Sequence, residues 1–254
     1  MIQPKTKSEE LFRKIEALYE QDKPVLPLQI QRLKQDVIKS VFSESVGLGH
    51  VLYGLITGLE NKPDEIASRY RQAQHYLNDC LITHMNFMTA FKYVGQYHEA
   101  GRAFEAAFET VDPSNPFQLR CMISHAARLG FYKKGQTAIE LLQKLNEVPD
   151  TAERATLKSL EDFSMKEQEL TGLIAQILSF LHSKGIHKRL NHIETSHLCE
   201  DGENFHVYSV LLDGQEPEEI AQYQYECDNV LADFANEKGI DLSNFVVNIL
   251  PIEA

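Results

Sequence analysis

GQYHEAGRAFEAAFETVDP, running from Gly95 to Pro113, is the stretch that decides the fold. Gly95 suits a tight turn, because it can take backbone angles that strain other residues. Ala100, Phe104 and Ala107 follow at intervals of four and three, which places them on one face of a helix. The alanines let a neighbouring helix come close, and Phe104 fills the space between turns. Pro113 ends the segment, since a proline cannot continue a helix. The pattern occurs three times. Ile66, Tyr70 and Ala73 show it 34 residues earlier, and Gly135, Ile139 and Leu142 show it 35 residues later.

Each of these helices has an apolar-rich partner before it: Leu48–Gly58, Leu81–Val94 and Phe117–Leu129. Asn61 to Asp64, Gly95-Gln96 and Gly130-Phe131 break the chain within each pair, and Asp112 to Pro116 separates the second pair from the third. A helix–turn–helix unit recurring every 34 or 35 residues resembles the tetratricopeptide (TPR) repeat family. The resemblance covers about residues 45–146 and is best at Gly95–Pro113. The chain departs from the family pattern in having no Trp, in Leu142 where a small residue is usual, and in lacking a Gly-x-aromatic turn in the first pair. An irregular α-solenoid or a helical bundle would carry the same periodicity.

Upstream, Leu11, Ile15 and Leu18 form one apolar stripe within Ser8–Gln21. Ile30, Leu33, Val37 and Val41 form another within Pro27–Val41. These two helices read as a degenerate first repeat or a cap.

TPR arrays usually hold a peptide or a helix in the groove lined by their first helices. The resemblance therefore implies a partner-binding groove with His84, Asn86 and Lys92 from the middle pair and Arg120, Ser124 and Arg128 from the third. Arg120, Ser124 and Arg128 lie at i, i+4 and i+8 and form one polar stripe. Two arginines on it suit a carboxylate, and a solvated helix face is the ordinary alternative.

Asn146 to Thr151 reads as a boundary. It divides a TPR-like helical domain, 1–148, from a second domain, 149–254. A helix is expected from Ala152 to about Asp162. Ser164 and Glu167 then fit a capping box for a helix with an apolar stripe from Leu170 to Leu181, closed by Gly185. After that the period changes to two. Arg189–Leu198 and Phe205–Leu212 suit strands, with Asp201-Gly202 as a hairpin signal between them. Pro217 opens a helix reaching about Asn236, and Phe245–Leu250 is a last short strand. The fold class is thus mainly α, a TPR-like α-solenoid of helix pairs followed by a small α+β part in the order α-β-β-α-β.

Charge supports the same division. The 254 residues carry a net charge of −12. Leu160–Ala254 alone holds 18 Asp and Glu against 5 Lys and Arg. Such a surface repels phosphates, so nucleic acid is disfavoured there, while a basic protein or peptide would be steered to it. The start of the chain has no apolar targeting segment. The longest weakly polar stretches, Val46–Leu59 and Leu170–Leu181, are too short to cross a bilayer. The four cysteines, at 80, 121, 199 and 227, are widely spaced. Together these features point to the cytoplasm and to no membrane association.

Chemistry-bearing motifs are sparse. His182, His187, His192, His197 and His206 cluster with Cys199 and Cys227, but His192 and His197 fall on opposite faces of the expected strand, and no paired metal motif occurs. No metal and no cofactor is expected. Cys121 and His125 lie one helical turn apart, with the thiol in an apolar run that suits packing. No catalytic residue and no phosphate-binding loop emerges. The expected function is a non-enzymatic adapter or scaffold, with a TPR-like groove and an acidic second contact surface. Two alternatives stay open: an enzyme with its site in the C-terminal domain, and an antitoxin- or inhibitor-like protein that neutralises a basic partner.

Overall fold

The computed structural model describes residues 6–21, 24–78, 80–163, 165–186, 192–200 and 203–251, with the backbone alone at 192, 197–200, 203 and 204. These residues form a mainly helical chain that ends in a small mixed sheet. The chain divides into two compact units, Met1–Thr110 and Val111–Ala254. The division expected near 148 therefore falls inside the second unit.

The first unit holds α1 (Lys7–Glu20), α2 (Pro27–Asp36), α3 (Val46–Leu59), α4 (Pro63–Leu77), α5 (Leu81–Tyr93) and α6 (Tyr97–Glu109). The expected stripes are its core: Leu11, Ile15, Ile66, Ala73, Ala100, Phe104 and Ala107 are buried. Pro27–Val41 is not one regular helix. After Asp36 the chain widens into a π-turn over Val37–Val41, with the Phe42 amide donating to the Val37 carbonyl at 3.1 Å. A π-turn is an insertion that still presents apolar residues to the core, so the sequence period alone does not reveal it. It brings the Phe42 ring over Gly49 and edge-on to His50 at 5.0 Å.

Central to this unit is α3, in which ten of the fourteen residues are buried. Its glycines are contact points. A Cβ on Gly47 would run into Leu77, one on Gly54 into the Phe87 ring, and one on Gly58 into the Tyr19 hydroxyl. Glycine lowers helix propensity by about 1 kcal/mol, and here that loss is offset by the close approach of α4, α5 and α1. Lys34 is drawn in against Glu60, Nζ to Oε2 2.5 Å, with the side chains 9% and 12% exposed. Burial acts to lower the ammonium's pKa, but the Glu60 carboxylate outweighs it, and the net shift is upward.

The second unit contains the third helix pair, α7 (Pro116–Leu129) and α8 (Tyr132–Lys144), together with α9 (Thr151–Glu161), α10 (Glu167–Ser183), α11 (Pro217–Lys238) and strands β1 (His192–Glu200), β2 (Glu203–Leu212) and β3 (Phe245–Pro251). Specific ties explain why this pair joins the C-terminal elements. Leu157 of α9 packs against Gly135 of α8, and Ile174 of α10 packs against Gly130. The Tyr132 hydroxyl donates to the Met165 carbonyl at 3.3 Å, and the Lys133 amide donates to Glu167.

The cap of α10 differs from expectation. Its N-cap is Lys166, whose amide donates to Glu169 Oε2 at 3.2 Å. Glu167 caps α8 instead of its own helix, and Ser164 lies outside the described residues. Gly185 does close α10, at φ 77°, with the Ile186 amide reaching back to the Leu181 carbonyl.

The strand order is β1-β2-β3, with β2 antiparallel to β1 and parallel to β3, the latter two joined through α11. Tyr208, Val210, Leu212, Val247 and Ile249 are buried on the sheet, and Ile220, Cys227, Leu231 and Ala235 form the buried stripe of α11. The expected turn at Asp201-Gly202 lies outside the described residues. The outer edge of β3 is occupied by a side chain: Gln224 of α11 donates to the Val247 carbonyl at 2.9 Å and accepts from the Ile249 amide at 2.7 Å. Among the described residues no strand pairs with that edge, and the carboxamide takes the place of one, which protects an exposed sheet edge.

Candidate functional site

The six residues singled out from the sequence occupy different surroundings. In the first unit, His84 is fully buried on α5, with Nδ1 2.6 Å from the Tyr70 hydroxyl. Its imidazole serves the α4–α5 contact. Asn86 and Lys92 are half-buried, and the Asn86 amide donates to its own helix at Ile82. In the second unit, Arg120, Ser124 and Arg128 lie along α7, the first two half-buried and Arg128 exposed.

Arg120 does clamp a carboxylate, but an internal one. It donates to Glu147 Oε2 and to the Val148 carbonyl, both at 2.7 Å, and so fixes the segment that leaves α8. Two large apolar side chains on these segments are exposed. Phe117, one turn before Arg120, is 75% exposed, and Val148 is 78% exposed. Phe117 stands off the inner stripe of Leu119, Met122, Ile123 and Ala126. That offset is the signal by which the sequence could have placed it outside. Val148 has no such signal, because it lies outside any helix or strand.

A second exposed surface lies on α11. Its outer face presents Glu218, Glu219, Gln222, Asp228 and Asp233, with Tyr225 among them 66% exposed. Tyr225 is an aromatic on an acidic face, and a tally of charges does not reveal it.

The histidine-rich segment gives a smaller feature. His206 on β2 is buried, with its ring 4.6 Å from that of Phe163. Phe163 in turn lies 5.9 Å from Phe245 on β3. A cleft of about 120 Å³ is lined by these three rings, Met165, Glu169, Asp241, Ser243 and Asn244. Asp241 accepts from the Ser243 amide at 2.9 Å, which, with help from the Ser243 hydroxyl, holds its carboxyl below the usual range. The Lys166 side chain, and then its amide, does the same for Glu169. His187 and the side chains of His192, His197 and Cys199 lie outside the described residues. Among the described residues no three His, Cys, Asp or Glu side chains are grouped to hold a metal ion.

Two cysteines, Cys227 and Cys121, titrate high. Burial, with Asp228 adding to it, pushes the Cys227 thiol up to about 12. Burial and then Glu153 raise the Cys121 thiol. Both shifts oppose the thiolate that a nucleophile needs. Among the described residues no helix is long and apolar enough to cross a membrane. Compared with models of protein families, with curated proteins and with solved structures, the chain gives no match.

Proposed function

We propose that this protein is a non-enzymatic adapter that binds a protein or peptide partner through the second unit. The observation that carries this reading is the pair of exposed apolar side chains, Phe117 on the helix of Arg120 and Val148 on the segment that Arg120 bonds. Large apolar groups fixed beside charged ones have the composition of an interface anchor with a polar rim. The resemblance of the helix pairs to TPR repeats supports the same function, since such repeats hold partners. The acidic outer face of α11, with Tyr225, forms the second contact surface and favours a basic partner.

Affinity capture with the purified chain at low and at high salt tests this reading. The expected result is a protein retained by the wild type at low salt, weakened at high salt, and lost by a Phe117→Ser, Val148→Ser variant that keeps the wild-type melting temperature. Retention of the same proteins by wild type and variant at both salts would remove the support for the reading.

A further inference from the structure

We propose that the cleft between Phe163, His206 and Phe245 receives one cationic side chain, an arginine or a lysine, from a basic protein partner. The inference rests on the adapter reading and adds a specific receptor to it. The chemistry of the walls selects the charge. The Phe163 and Phe245 rings and the Met165 side chain form an apolar, polarisable lining beside the buried His206 imidazole, and Glu169 and Asp241 are the acidic groups among the lining residues. Aromatic faces attract cations, and carboxylates beside them add both charge and hydrogen-bond acceptors.

Both carboxylates are fixed before any partner arrives. Asp241 is turned by the Ser243 amide, and Glu169 by the Lys166 amide. Each retains acceptor capacity beyond those bonds. Lys166 pairs with Glu169 at 2.9 Å, but its side chain is 83% exposed, so it is a weakly held competitor.

Size limits the occupant. A volume of about 120 Å³ falls below the roughly 300 Å³ at which small-molecule sites begin. It suits the head of one side chain. The surrounding region carries 18 acidic against 5 basic residues from Leu160 to Ala254, which would steer a basic partner towards it.

The test is a titration of the isotope-labelled full chain with N-acetyl-arginine amide, N-acetyl-lysine amide and N-acetyl-norleucine amide, read from backbone amide shifts. The two cations are expected to move the amides of Met165, Asn244 and Phe245. The uncharged norleucine probe should bind about tenfold more weakly, a ratio within reach of a cation–π contact plus a charge pair. Glu169→Gln with Asp241→Asn should shrink that difference to the part the rings supply. Because Glu169 also caps α10, Met165→Lys is the second variant. It supplies a resident cation at the cleft, leaves both carboxylates in place, and should block both cationic probes.

Equal binding of norleucine, binding that survives Met165→Lys, or no shift up to about 0.1 M probe, beyond the weak affinity expected of so small a ligand, would overturn the inference. Capture of a partner that depends on Phe117 while the cleft stays silent removes the cleft alone. A cleft that takes cations while no partner is captured removes the adapter reading and, with it, a protein partner as the source of the cation.

Discussion

Gly54 sits where α3 meets the Phe87 ring, and any Cβ there displaces it. Gly54→Val should destabilise the protein by about 1–3 kcal/mol, the usual result of overpacking. Ser68→Val, at an exposed site on α4, should stay within about 0.5 kcal/mol. Equal losses at the two sites would contradict the role given to Gly54. The sequence shows Gly47 and Gly49 as two glycines in a helical run, and nothing local says which ring or side chain each one faces. His50 makes a pH-dependent contribution. Burial, and then Arg69 3.4 Å away, depress its pKa below the ordinary 6.5. The unfolded chain therefore binds the proton more readily, and stability is lost as pH falls below about 6.5. Chemical unfolding at about pH 7.5 and pH 5.5 should show a smaller pH-dependent loss in His50→Gln than in the wild type. The same loss in both would contradict the assignment.

At the scale of elements, the helix pairs were legible because their spacing is local. Ala100, Phe104 and Ala107 are buried where the +4, +3 interval places them. The strands were legible from the change to period two, and the ends of α10 and α11 from Gly185 and Gly239, both at positive φ. The sequence missed the π-turn and the Lys166–Glu169 cap, where several local arrangements compete, and the Gln224 carboxamide on β3, a contact between elements. Gln224→Leu leaves the Val247 carbonyl and the Ile249 amide without that partner. It should destabilise the protein by about 1–3 kcal/mol. It should also promote concentration-dependent association, because a bare strand edge pairs with other chains. Sedimentation of wild type and variant over a concentration series checks this. A variant as stable and as monodisperse as the wild type would show the edge to need no cover.

At the scale of the whole molecule, charge and composition pointed to a division near 148, whereas the compact units divide between Thr110 and Val111. Contacts from α8 to α9 and α10, and the Arg120 hold on Glu147 and Val148, tie the third helix pair to the C-terminal elements, and each joins residues distant in sequence. Limited proteolysis should cut first within 111–115, where Asp112, Pro113 and Ser114 are exposed, and later within 146–150. The reverse order would favour the division near 148. The candidate site was legible only in part. The polar stripe on α7 was visible, but the exposed Phe117, Val148 and Tyr225 were not. Site-specific photo-crosslinking in intact cells tests the adapter claim most directly, with the reactive group at position 117, at 225, and at the exposed position 143 on α8 as control. The account predicts discrete protein adducts at 117 and 225 and none at 143. Adducts absent from 117 and 225, or equal at all three positions, would contradict it.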